Sequence, residues 1–140
     1  MPLEFIYNTD YTLTDEKLYS VWIKSAIFSE NYELGNIVFA FFNDEEVKKL
    51  NKKFLNKDYY TDVISFNETN DKIISGNIAI SVDRVKENSK KFKCTFQDEM
   101  RRVMIHGLLH FMGYNDQNNE ASAKMRKKEN EKIKMFHVER

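Results

Sequence analysis

Residues 95–116 read TFQDEMRRVMIHGLLHFMGYND, and this stretch decides what the rest of the chain must build around it. Thr95, with Asp98 three residues on, is a capping pair that opens a helix. Met100, Val103, Met104, Gly107, Leu108 and Phe111 then recur at helical spacing, one apolar stripe that needs a covering layer. Gly113 is suited to stop the helix in a left-handed turn. His106 and His110 lie one turn apart on the flank of the stripe, so their rings share a face that borders a cleft instead of entering the core.

Two neutral imidazoles at this spacing reach one cation. His106, His110, Gly113 and Asp116 repeat the offsets of the metzincin string H-E-x-x-H-x-x-G-x-x-H, in which the glycine turn returns a third ligand to the metal. Here that ligand is Asp116, which binds zinc through oxygen. The motif's Glu is replaced by Gly107, so the helix carries no base for a water's proton and ordinary peptidase chemistry is disfavoured.

Outward from this helix, LEFIY at 3–7 reads as a strand, and Leu18, Val21, Trp22 and Ala26 mark a helix from Thr14 to about Phe28. NIVFAFF at 36–42 is a buried strand. Asn43 and Glu46 cap a helix bearing Val47, Leu50 and Phe54. DVISF at 62–66 and NIAIS at 77–81, the latter behind Gly76, are two more strands. A polar helix follows from Val82 to about Phe92, and a last one runs from Glu120 to Phe136 with Met125 and Ile133 among lysines. The expected fold is α+β (mixed α/β): a small four-stranded sheet packed with about five helices, one of them a zincin-like metal helix. With no repeat and no linker composition, 1–140 reads as a single domain.

Composition sets the compartment and the partners. No apolar run approaches the roughly 20 residues of a membrane span, no signal peptide opens the chain, and Cys94, the only cysteine, reads as a small core-edge residue of a cytoplasmic protein. Net charge is zero, yet residues 1–70 hold 7 Lys/Arg against 12 Asp/Glu and residues 71–140 hold 15 against 10. A basic face can hide in such a neutral total. Arg84, Lys90, Lys91, Lys93 and the basic run Lys124 to Lys128 are its candidates for holding phosphates.

The string HGLLHFMGYND, with TDVISF at 61–66, LNKKFLNKD at 50–58 and SGNIAIS at 75–81, resembles the YbeY family in order and spacing over residues 36 to 130. The resemblance implies an α/β fold, zinc as the usual metal, and a single-strand-specific endoribonuclease of ribosomal RNA maturation. The implied work is 16S rRNA 3′ end processing and ribosome quality control, with the small ribosomal subunit as partner and no membrane or DNA involved. Four positions depart from the family pattern: Asp116 stands where His is usual, Leu55 where an Arg proposed to hold the RNA phosphate is usual, and Tyr60 and Asn77 where Pro and Asp are usual. Leucine offers none of the bidentate phosphate contact of a guanidinium, and Lys57, Lys53 or Lys52 are the substitutes at hand.

The expected site is therefore one Zn²⁺ per chain on His106, His110 and Asp116. An open fourth position would lower a bound water's pKa towards about 7 and polarise a phosphoryl oxygen. The anionic Asp116 shifts selectivity towards harder ions such as Mn²⁺, and Ni²⁺ is a further alternative. Thr61, Asp62, Ser65 and Lys57 are the expected substrate-binding residues. Glu99, two turns before His106, is the candidate carboxylate to orient a ring nitrogen. His137 is read as a tail side chain or a displaced ligand. No general base is assigned. Two other readings stay open: a metallohydrolase acting on a substrate other than RNA, and a ribosome-associated binding factor whose metal is structural.

Overall fold

In the computed structural model, which describes residues 2–137, β1 (Leu3–Tyr7) leads through α1 (Glu16–Ser29) to β2 (Glu33–Phe42). Next come α2 (Asp44–Leu55), β3 (Val63–Asn67) and β4 (Ile73–Ser81), then α3 (Val82–Lys91), α4 (Phe96–Phe111) and α5 (Asn119–Phe136). The four strands form one sheet in the order β1-β2-β4-β3, with β1, β2 and β4 parallel and β3 antiparallel to β4.

The helix starts follow from side-chain oxygens that meet otherwise unpaired backbone donors. Asp15 accepts from Leu18 N at 3.1 Å, Asn43 from Glu46 N at 2.9 Å and Thr95 from Asp98 N at 3.1 Å. Alternation along the strands sends Ile37, Phe39, Phe41, Ile78 and Ile80 into the main core, where Trp22, Ile23, Met104, Leu108 and Phe136 cover them. Ala79 and Ile64 belong to a smaller core with Val47, beneath α2.

Two strands are longer than their composition predicts. β2 begins at Glu33, three residues early, and passes a register shift between Leu34 and Ile37. β4 begins at Ile73 and runs straight through Gly76, which reads as a breaker in isolation. A Cβ at Gly76 would lie 2.3 Å from the Phe66 carbonyl oxygen and 2.7 Å from the Phe111 ring, with φ at +151°. Only glycine lets α4 lie that close to the sheet.

α4 is also more enclosed than one apolar stripe suggests. Ile105 and Leu109 are buried along with the stripe, because α3 and α5 flank the helix while β3 and β4 underlie it. Arg102, His106 and His110, four residues apart, remain only partly covered. Cys94 is exposed and not at the edge of the core, since the turn between α3 and α4 carries it outward.

Candidate metal centre and cleft

α4 ends in the turn that a glycine makes easy. Gly113 has φ +94°, its N–H donates to the His110 carbonyl at 3.1 Å, and Tyr114 N–H donates to the Leu109 carbonyl at 3.0 Å. This pair of bonds is the Schellman closure. Side chains from the far end of α1 anchor the turn: the Tyr114 hydroxyl donates to Glu30 at 2.7 Å, and the Tyr32 hydroxyl donates to the Met112 carbonyl at 3.2 Å. Two residues later Asp116 returns to the helix face.

His106 Nε2 lies 3.0 Å from His110 Nε2 and 3.8 Å from Asp116 Oδ2. One ligand atom from each of the three residues falls within 4.8 Å of the others. Tetrahedral bonds of roughly 2.0–2.1 Å put ligand atoms about 3.3 Å apart, so the donor set fits a small divalent cation. Burial holds the His110 imidazole below its ordinary range, the neighbouring charge of His106 adds to this, and Asp116 and a hydrogen bond to the Tyr114 backbone oppose it. The neutral ring is the ligating form.

The carboxylate on the imidazole is not Glu99. Glu129 Oε2, from α5, lies 2.6 Å from His106 Nδ1. With the ring proton on Nδ1, donated to that carboxylate, the Nε2 lone pair faces Asp116 and His110. Glu99 is buried and ion-pairs with Arg102, whose Nη1 lies 3.6 Å from Glu129 Oε1. Glu99 thus reaches His106 through Arg102 and Glu129, two side chains removed. The sequence did carry a sign of Glu129: Met125, Glu129, Lys132 and Phe136 recur at helical spacing and form the buried face of α5. Lys132 is there because it donates to Glu30 at 2.6 Å and to Ser29 at 2.9 Å.

His106, His110 and Asp116 sit in a cleft of about 570 Å³ whose other wall is β3 and the segment before it. Thr61, Asp62, Ser65 and Lys57, all expected at the substrate, line it, and so do Leu55, Asn67 and Phe111. Asp62 also receives Asn88 Nδ2 at 3.2 Å. At Gly107 a Cβ would lie 3.0 Å from Ile78 Cδ1 and 3.1 Å from Ser65 Oγ, so the helix packs tightly on the sheet at this point and a Glu here would press on both side chains.

The sequence model of endoribonuclease YbeY matches residues 6–137. The chain belongs to the YbeY family. An endoribonuclease YbeY from Flavobacterium johnsoniae is 43% identical over 98% of this chain and 99% of its own length. The one from Christiangramia forsetii is 44% identical, over 98% and 96%. The solution structure of TM1509 from Thermotoga maritima has the same fold, with a TM-score of 0.66 at 24% identity, covering 96% of this chain and 88% of that one.

The basic candidates outside the YbeY cleft divide into two groups. Arg84 donates to Asp44 at 2.7 Å and Lys128 to Glu30 at 3.1 Å, both within the fold. Lys90, Lys91 and Lys93 line no part of the cleft wall. His137 stands 3.9 Å from Asp98 and takes no part in the three-residue group. Among the described residues, no helix is long and apolar enough to cross a membrane.

Proposed function

We propose that this chain is a metal-dependent endoribonuclease that cuts unpaired ribosomal RNA. Its metal, Zn²⁺ with Mn²⁺ or Ni²⁺ as alternatives, is held by His106, His110 and Asp116. The observation that carries the reading is the convergence of those three ligand atoms inside a cleft, on the third-ligand turn of a chain that belongs to the endoribonuclease YbeY family.

Each residue has a physical role in this reading. Glu129 fixes the His106 ring and Gly113 fixes the return of Asp116. Lys57, exposed on the rim, meets a backbone phosphate as a point charge. The hydroxyls of Thr61 and Ser65 offer donors to phosphate or sugar oxygens. When bound, the divalent cation supplies Lewis acidity at the scissile phosphate. A peptide substrate is the poorer reading, because Gly107 packs where that chemistry needs a carboxylate. RNA of the small ribosomal subunit as substrate implies a cytoplasmic site of action.

The test is metal content by elemental mass spectrometry, with cleavage of an unpaired RNA strand measured on the same samples. The wild type is expected to hold about one metal per chain, and Asp116→Ala to lose both metal and cleavage. Asp116 is half-exposed, so the variant should keep its fold. A metal-free wild type purified without chelator would sink the proposal.

A further inference from the structure

The cleft rim carries more than lysine. α2 ends at Leu55 and the chain returns to β3 through residues 56–62. Leu55, Lys57 and Thr61 from this stretch face the cleft, and between Lys57 and Thr61 the ring of Tyr59 stands 52% exposed. That exposure is built into the local structure. Asn56 caps α2 in the left-handed conformation, φ 55°, which turns the chain sharply. Asn51, itself buried, donates its Nδ2 to the Tyr59 carbonyl at 3.0 Å and pins the backbone at that residue.

The neighbouring rings are already engaged. Tyr60 has Lys48 Nζ 4.5 Å from its centroid and Arg84 at 5.2 Å, and its hydroxyl donates to Glu45. Phe54 packs edge-on against Phe66 at 5.6 Å, with Lys53 Nζ 5.2 Å from its centroid. The Tyr59 ring makes no hydrogen bond, ring contact or cation contact among the described residues. In the sequence just before it, residues 48–58 hold five lysines and a single acid, Asp58, of which Lys49 faces Glu46 at 3.6 Å and Lys52 faces Asp58 at 4.0 Å. An exposed aromatic ring two residues from Lys57 and from Thr61, both of which line the cleft, has the chemistry of single-stranded nucleic-acid binding, in which cations take the phosphates and rings stack on bases.

We propose that Tyr59 is a base-stacking subsite: one unpaired base of an RNA strand lies on its ring while Lys57 holds the backbone entering the cleft. This rests on the endoribonuclease reading and adds how the strand is gripped. A duplex, whose bases already stack on each other, offers the ring no free face, so Tyr59 favours unpaired RNA.

The test uses the metal-loaded full chain on ice and fluorescence anisotropy of two labelled strands with equal numbers of phosphates, one of unpaired RNA and one abasic. RNA cleavage is followed separately. Wild type should prefer the strand with bases, and Tyr59→Ala should lose about 5- to 150-fold on it, as one stacked base implies, with no change on the abasic strand. Tyr59→Phe should bind as wild type does, and Lys57→Gln should weaken both strands alike. If wild type cleaves RNA but Tyr59→Ala retains full preference for bases, or weakens both strands equally, the stacking subsite is overturned and the nuclease reading stands. If wild type neither binds nor cleaves unpaired RNA, both the nuclease reading and the stacking subsite fall.

Discussion

Glu129 Oε2 and His106 Nδ1, 23 residues apart in sequence, lie 2.6 Å apart across the α4–α5 contact. The carboxylate is 2% exposed, and beyond it stand Arg102 at 3.6 Å and Arg126 at 3.7 Å. Burial of a carboxylate is tolerable when cations and a ring N–H surround it. The contact sets which nitrogen of His106 is free to bind a cation.

Glu129→Gln should therefore keep the fold and weaken metal binding by about 10- to 100-fold, the usual cost of losing a carboxylate behind a ligating imidazole. The amide oxygen still accepts from Nδ1–H, but without the charge that strengthens the ring as a ligand. Competition against a chromophoric chelator measures it. Unchanged affinity would show that Glu129 serves only the packing of α5.

Gly107→Glu is the substitution that would restore the peptidase pattern, and it should destabilise the protein instead. Its Cβ would lie 3.0 Å from Ile78 Cδ1 and 3.1 Å from Ser65 Oγ, so those side chains must give way and a carboxylate enters a buried position, at a cost of about 1–3 kcal/mol or more. Urea unfolding should show a lowered midpoint, and peptide turnover should not appear. A midpoint equal to that of wild type would mean that the helix–sheet contact is looser than its geometry indicates.

Glu30 gives the fold an acid-sensitive tie. Burial works against its charge, but hydrogen bonds from Lys132, Tyr114 and Lys128 outweigh burial and hold the carboxyl at about 2, against an ordinary value of 4.5. A carboxylate depressed in the folded state contributes stability that is complete above its ordinary value and is lost as pH falls through its folded one. Wild type and Glu30→Gln should differ most in unfolding midpoint above pH 4.5, and the gap should close towards pH 2. Parallel profiles across that window would contradict the assignment. Because Tyr114 leads into the turn that carries Asp116, metal affinity should fall in Glu30→Gln as well.

Local order was legible in the sequence wherever one segment carries its own instruction. The α4 stripe, the Thr95 and Asn43 caps, the Gly113 stop and the spacing of His106, His110 and Asp116 are all written within a helical turn or two, and helical geometry converts them directly into positions in space. Four strands and five helices followed from period and turn residues. What only tertiary structure decided depends on neighbours distant in the chain. Gly76 reads as a break until the Phe111 ring is laid over it, and Gly107 reads as a missing base until Ile78 is found beneath it. Glu99 and Glu129 are both carboxylates at plausible helical positions. Which of them meets His106 is set by the packing of α5 across α4, because an ion pair forms where burial brings charges together and sequence spacing on one helix cannot say what the next helix delivers.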